Sequence, residues 1–347
     1  MIILGIESSC DETGVAIVED GSKLLENKVA SSMSVHSEYG GVIPEIAARA
    51  QLEYIIPVIS EVVDKFSREN LVGWDAIDGI AVTYGAGLSG SLLIGTLAAR
   101  TLAITKNKPL YPINHVEGHV YANFLNEKQP EFPLLSLIVS GGHTQLVLFT
   151  NHFEYRVLGQ TVDDAIGEAF DKVAKILGLP YPGGPSVSMA AKLGNDNKFN
   201  FPKPRLDHKY NFSYSGLKTS VLRRAQSEVG ADYQLSSTLL PEMLNEEQKN
   251  DIAACFEKTA VSIVVEKTIE AFNEYTPKSV VIAGGVAANM RLRNDLAQSL
   301  PINIDYAPPY LCTDNGAMIA TLGCYKAMAG IPPVDPKNLA IEPNLKM

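Results

Sequence analysis

An apolar run, a polar turn and a second apolar run occur twice in this chain, about 130 residues apart, and no other feature restricts the fold as much. The first copy runs from Ile2 to Ile6, turns through "ESSCDET" and returns over Val15 to Val18. The second is "LLSLIVSGGHTQLVLF", Leu134 to Phe149, with "SGGHT" as its turn. Short runs of this composition, bounded by Gly, Ser and Asp, read as paired strands joined by tight loops. A third strand is expected after each pair, near Lys28 to Ser32 and near Glu154 to Leu158.

Helical periods and short buried strands then alternate in both halves. The first half has a helical pattern over Pro44 to Phe66, a strand over Gly79 to Tyr84, a helix from Ser89 and a strand over Leu110 to Ile113. The second has a helix near Glu247 to Tyr275, the strand in "SVVIAGG", a helix to about Leu300, the strand in "INIDYA" and a helix from Asp314. Both halves therefore read βββαβαβα. The expected fold class is α/β, built of two ribonuclease-H-like halves in the architecture of actin, heat-shock ATPases and sugar kinases. Residues 1–133 form the first half and 134–347 the second, with an insertion at about 160–245 and a final helix, about 314–330, crossing back to the first half. In that architecture the halves face each other across a cleft, and the hairpin turns hold nucleotide phosphates.

Bulk properties narrow the function classes. With 347 residues and 46% hydrophobic content the chain can fill two cores. Its first twenty residues lack a basic start and a long apolar stretch, so neither a signal peptide nor a membrane span is expected, and the cytoplasm is the expected location. The four cysteines show no CxxC spacing, which disfavours a zinc ribbon and a disulfide framework. The net charge of −10 disfavours nucleic acid on average, yet Lys198 to Arg224 holds seven Lys or Arg against one acid, interleaved with Phe199, Phe201, Tyr210, Phe212 and Tyr214. Such a stretch could grip phosphates and stack bases; the plainer reading is a solvated loop with its aromatics in the core.

Several stretches carry chemistry. In "SGGHT", Gly141 and Gly142 let backbone N–H groups approach an anion, with Ser140 and Thr144 as added hydroxyls. In "VVIAGGVAANMRLR" a buried strand ends in Gly284 and Gly285, and Asn289 lies in the first turns of the next helix, where its alternative role is a local hydrogen bond. "YPGGPS" could likewise pass close to a sugar or phosphate, and Asp171 could reach a ribose hydroxyl. In "NHVEGH", His115 and His119 are four apart and share one helical face. Glu117, about 200° from His115, cannot join them, and the peptidase motif HExxH places its Glu one residue after the first His. Asp314, in "CTDNGAMIA", is the third ligand to consider, although Thr313 and Asp314 also suit a helix N-cap and first turn. Asp11 and Glu12 place two acids at the first hairpin turn.

Taken together these segments resemble one family over nearly the whole chain: the universal tRNA threonylcarbamoyladenosine biosynthesis transferases, once described as O-sialoglycoprotein endopeptidases. The resemblance rests on "GIESSCDETGVAIV", "GGVIPEIAAR", "NHVEGH", "VSGGHTQL", "GEAFDKVAKILGLPYPGGP", "NFSYSGLKTSV", "AGGVAAN" and "LCTDNGAMIA". It implies transfer of a threonylcarbamoyl group from threonylcarbamoyl-adenylate to N6 of the adenosine 3′ of the anticodon, in tRNAs reading codons that begin with A. It also implies one divalent metal, iron(II) with zinc as second choice, on His115, His119 and Asp314; adenylate binding by Val139, Ser140, Gly141, Gly142, His143, Asp171, Gly184, Ser188 and Asn289; and a catalytic role for Asp11. The implied partners of a bacterial-type member are tRNA, a shorter paralogous subunit of similar fold and a P-loop ATPase, with the helices over Pro44 to Phe66 and from Ser89 as the expected paralogue interface. Two positions depart from the family pattern: Ala86 stands where a proline is usual, and Ser188 where an acid is frequent. The alternatives are a small-molecule kinase of the same architecture, a non-catalytic nucleotide-binding subunit and, last because of its Glu spacing, a metalloprotease.

Overall fold

The computed structural model describes residues 1–70 and 72–347, and these divide into two compact units, Met1–Gln129 with Ala307–Met347, and Pro130–Tyr306. The first unit contains β1 (Ile2–Glu7), β2 (Glu12–Glu19), β3 (Lys23–Ser31), α1 (Met33–Ser37), α2 (Pro44–Asn70), β4 (Gly79–Gly85), α3 (Ser89–Lys106), β5 (Leu110–Asn114) and α4 (His115–Tyr121). The sheet order is β3-β2-β1-β4-β5. β1 pairs antiparallel with β2, with Gly5 opposite Ala16, and parallel with β4, with Ile3 opposite Gly79. β3 starts at Lys23, earlier than the expected third strand, because the ladder continues past a register shift at Ile17/Val18.

Alternation along the strands sorts their side chains between two layers. Leu4, Ile6, Val15 and Ile17 enter a core completed by Ile55, Val58, Ile59, Val62 and Phe66 of α2 and Ala99 and Ala103 of α3. These α2 positions recur at three and four residues, the helical spacing that makes one buried stripe. Full burial of a side chain such as Phe66 contributes about 1.5–3 kcal/mol.

The second unit repeats the plan with β6 (Leu134–Val139), β7 (Thr144–Asn151), β8 (Glu154–Gln160), α5 (Ile166–Leu177), α6 (Gly183–Ala191), α7 (Ser215–Glu228), α8 (Leu240–Met243), α9 (Glu246–Tyr275), β9 (Ser279–Ala283), α10 (Met290–Ser299) and β10 (Ile304–Tyr306). Its sheet order, β10-β9-β6-β7-β8, is that of the first sheet read from the other edge. β6 pairs antiparallel with β7 and parallel with β9, as β1 does with β2 and β4. The fold is thus a duplicated α/β, ribonuclease-H-like arrangement. α9 starts at a capping box, Asn245 with Gln248, which satisfies two of the otherwise unpaired donors at its start.

After β10 the chain enters the first unit again, with α11 (Pro309–Cys312) and α12 (Gly316–Met328). The return begins at Ala307, ahead of the final helix. α12 covers the other face of the first sheet, and two glycines permit the approach. A Cβ on Gly5 would collide with Gly316 O and Ala320 N, and one on Gly316 would lie 2.5 Å from Ala16 N and Val15 C.

Candidate metal centre and candidate nucleotide site

The first unit gathers His115, His119 and Asp314. Asn114 caps α4, its side chain accepting from the N–H groups of Val116 and Glu117, so α4 starts at His115 and both histidines project from one face. Their rings meet edge to face at 4.6 Å. Asp314 arrives from the loop before α12. The N-cap of that helix is Asn315, whose side chain accepts from Met318 N, and not Thr313 or Asp314 as the local sequence allowed. Asp314 Oδ1 instead lies 3.3 Å from His119 Nε2 and 3.7 Å from His115 Nε2, and one ligand atom of each residue falls within 4.8 Å of the others.

These residues suit a cation. Two ligand atoms about 2.1 Å from one ion at a tetrahedral angle lie about 3.4 Å apart, close to both distances. Among the described residues neither ring nitrogen of His119 has a well-formed hydrogen bond, Nε2 facing only Asp314 Oδ1 at 3.3 Å; burial makes this costly, and an ion on Nε2 would relieve that nitrogen. Behind His115 stands Glu7, fully buried, with Oε2 3.2 Å from His115 Nδ1; Ser9 Oγ lies 3.1 Å from the same nitrogen. Thr83 Oγ1 donates to Glu7 Oε2 and Ser9 N to Oε1, so the carboxylate itself is fixed. This contact at Nδ1 directs His115 Nε2 toward Asp314. Burial depresses the His115 pKa, but Glu7 and Asp314 outweigh it and raise the imidazole to about 9.

Asp11 and Glu12 belong to the same unit. The turn that carries them is pinned by Gln51 of α2, whose Nε2 donates to the carbonyls of Ser8, Cys10 and Glu12, and by Ser32, which donates to Asp11 O. Asp11 is 8% exposed. Burial, then the nearby charges of Asp314 and Asp11, push Glu12 up to about 10. Glu117 lies outside this group; it is buried, its Oε1 has no hydrogen-bond partner among the described residues, and burial raises its pKa while Lys326 opposes the shift.

The second unit brings together the turns and helix starts expected to hold a nucleotide. Ser140 closes the β6–β7 turn, its N–H donating to His143 O and its Oγ accepting from His143 N. A Cβ at Gly141 or Gly142 would meet no atom of a described residue within 4 Å, so that turn has room beside it. Gly284, at φ 90°, abuts Val139 O, which joins the ends of β6 and β9. Thr144 differs from expectation: it is fully buried, and its Oγ1 accepts from Ile166 N at the start of α5. Asp171 Oδ1 accepts from Gly183 N, the first amide of α6, and a Cβ at Gly184 would again enter open space. Asn289 caps α10 through Oδ1, and its Nδ2 reaches Ser188 Oγ at 3.1 Å and Glu257 Oε1 at 2.8 Å.

Three of the seven basic side chains in the basic aromatic stretch are paired with acids of one helix. Lys198 pairs with Asp251, Lys203 with Glu266 and Lys209 with Glu274, all acids of α9. Tyr210, Phe212 and Tyr214 are buried, and Phe199 lies under Arg224. Elsewhere in the first unit Leu52 and Ile56 of α2 and Leu93 and Leu97 of α3 are each more than half exposed, beside an apolar groove of about 470 Å³. Among the described residues no helix is long and apolar enough to cross a membrane.

Glu7, Ser9 and Glu257 were not singled out by sequence reasoning. Glu7 ends an ordinary apolar strand and Glu257 sits inside a long helix, and neither position carries a local pattern that marks a site.

Comparison with known proteins identifies the family. Solved structures of HypF share the fold: that from T. kodakarensis aligns over 94% of this chain and 48% of its own, with a TM-score of 0.61 at 14% identity. Curated relatives named tRNA N6-adenosine threonylcarbamoyltransferase include those of Thermomicrobium roseum, 46% identical over 95% of this chain and 93% of the relative, and Symbiobacterium thermophilum, 47% identical over the same shares. A third, from Thermosipho africanus, is 46% identical over the full length of both chains. Matched in addition by that family's own model over residues 23–321, the chain belongs to the tRNA N6-adenosine threonylcarbamoyltransferase family.

Proposed function

We propose that the protein transfers a threonylcarbamoyl group from threonylcarbamoyl-adenylate to N6 of the adenosine 3′ of the anticodon, in tRNAs that read codons beginning with A. An N–C bond forms at N6, the bond from the carbamoyl carbon to the phosphate oxygen breaks, N6 gives up a proton and AMP leaves. The observation that carries the reading is the convergence of His115, His119 and Asp314 in a member of this transferase family.

Those three residues would hold one divalent ion, iron(II) by preference and zinc as the second choice, since two imidazoles and a carboxylate suit both. When bound, the ion supplies Lewis-acid polarisation of a carbonyl or phosphoryl oxygen. Glu7 and Ser9 fix the His115 ring for that task. Asp11, on its pinned turn, is the group we assign to the N6 proton.

In the second unit the N–H groups of Gly141 and Gly142, at the tip of the Val139–His143 turn, and the positive ends of α5 and α6 would face a phosphate, while the amides of Ser140, His143, Ile166 and Gly183 hold the turn and helix starts in shape. Asp171, Gly184, Ser188 and Asn289 would line the rest of the adenylate site. The apolar α2–α3 face suits the shorter paralogous subunit, and a P-loop ATPase completes the proposed assembly in the cytoplasm. Because α9 neutralises Lys198, Lys203 and Lys209, affinity for tRNA is expected to depend on these partners. A small-molecule kinase would leave the paired histidines without a role, and the family membership disfavours it.

Reconstitution with threonine, bicarbonate, ATP, an adenylate-forming synthase, the partner proteins and unmodified tRNA, followed by nucleoside mass spectrometry, tests the reading. Modified adenosine is expected with wild type and none with His119→Ala. Equal product from the two proteins would remove the metal centre from the mechanism, and no product from wild type would reject the transfer itself.

A further inference from the structure

Glu257 projects from the middle of α9 and is 6% exposed, yet among the described residues no Lys or Arg pairs with it. A carboxylate held out of water without a cation needs donors to compensate for lost solvation. Two are present, and both reach the same oxygen: Ser188 Oγ donates to Oε1 at 2.6 Å and Asn289 Nδ2 at 2.8 Å. No hydrogen bond from a described residue reaches Oε2.

Asn289, the amide expected to read a ligand, is already committed at both ends. Its Oδ1 accepts from Leu292 N and its Nδ2 faces Glu257 and Ser188. The spare capacity of this cluster is therefore for accepting, and its ligand must donate.

The position of the cluster indicates which part of a nucleotide it meets. Gly184 and Ser188 are four apart on α6 and share one face. At Gly184 that face borders open space, next to the helix start where a phosphate would sit. Ser188 lies about 6 Å further along the helix. That interval is comparable with the reach from a 5′-phosphate to the 2′- and 3′-hydroxyls of its own ribose, and those hydroxyls are two adjacent donors.

We infer that Glu257 is the acceptor that selects the ribose diol of the bound adenylate, with Ser188 and Asn289 holding its carboxylate in place. The carboxylate here is supplied from α9, while position 188 of α6 carries only a hydroxyl. This inference rests on the reading of the second unit as the adenylate site.

Calorimetric titration of the full chain with AMP, 2′-deoxy-AMP and 3′-deoxy-AMP tests it. A hydrogen bond to a charged acceptor is worth roughly ten- to a hundred-fold in affinity, so wild type should bind AMP at least about tenfold more tightly than one of the deoxy forms. In Glu257→Gln, which keeps an oxygen for Ser188 and Asn289 but turns an amide donor to the ligand, that ratio should fall below about threefold, chiefly through weaker AMP binding. Glu257→Asp, which withdraws the carboxylate by one methylene, should also lower the ratio and serves if the Gln variant does not fold. A ratio unchanged in the folded variant, or no ribose preference in wild type, overturns the assignment of Glu257 alone. Failure of wild type to bind any of the three overturns the adenylate site itself, and this inference with it.

Discussion

Replacing Gly316 by Ala tests how the candidate metal centre is held in place. The new methyl would lie 2.5 Å from Ala16 N and Val15 C, and relief to an ordinary contact of about 3.4 Å requires α12 to move about 0.9 Å off the sheet. Both obstacles are backbone atoms of a central strand, so neither a rotamer change nor a local side-chain shift can absorb the clash. Overpacking costs about 1–3 kcal/mol, and a backbone obstacle places this site near the upper end. For a unit of about 170 residues each kcal/mol lowers Tm by roughly 2–4 °C, so a fall of about 6–12 °C is expected in differential scanning calorimetry. Asp314 precedes this helix by two residues and moves with it. Its 3.3 and 3.7 Å separations from the histidines then open to about 4 Å or more if α12 lifts directly away, and zinc affinity in a competition titration should drop at least tenfold. The matched control is Gly216→Ala in α7, where the added methyl meets nothing within 4 Å. There the same exchange should not destabilise, and should stabilise by less than the roughly 0.5–1 kcal/mol of a helix interior because Gly216 lies in the first turn. Equal effects at the two positions, or a destabilised Gly316→Ala with unchanged zinc affinity, would refute the reasoning.

Three further outcomes are expected. Glu7→Gln retains the shape behind His115 but weakens the acceptor at Nδ1, and should reduce zinc affinity about 10–100-fold; an unchanged dissociation constant would mean that Glu7 does not orient the ligand. Glu117→Gln should leave zinc stoichiometry and affinity as in wild type, because Glu117 lies outside the His115–His119–Asp314 group; loss of bound metal on elemental analysis would contradict that geometry. Hydrogen bonds from Lys209, Tyr275 and Tyr210 lower Glu274 from its ordinary 4.5 to about 2. A folded-state pKa below the unfolded value stabilises above the higher figure and ceases to do so as pH falls through the lower one. The stability difference between wild type and Glu274→Gln in urea unfolding should therefore be full above pH 4.5 and shrink toward pH 2; a constant difference across that window would exclude the linkage.

The repeated apolar hairpins and the helical spacing of α2 could be read from the chain because such patterns are set by neighbouring residues: one strand or turn of helix is enough to sort buried from exposed positions. The same local rule put His115 and His119 on one face. Every partnership made over long sequence distance was decided differently. Asp314 reaches the histidines because two glycines, far apart in the chain, let α12 rest on β1 and β2, and because Asn315 takes the capping role that Thr313 and Asp314 could have filled. Glu7 faces His115 across 108 positions of sequence, and the lysines that looked like a cationic surface meet acids more than fifty residues away on α9. Such pairings depend on which backbone can approach which at full contact, a property of the packed molecule with no counterpart in local periodicity, so tertiary structure alone determined them.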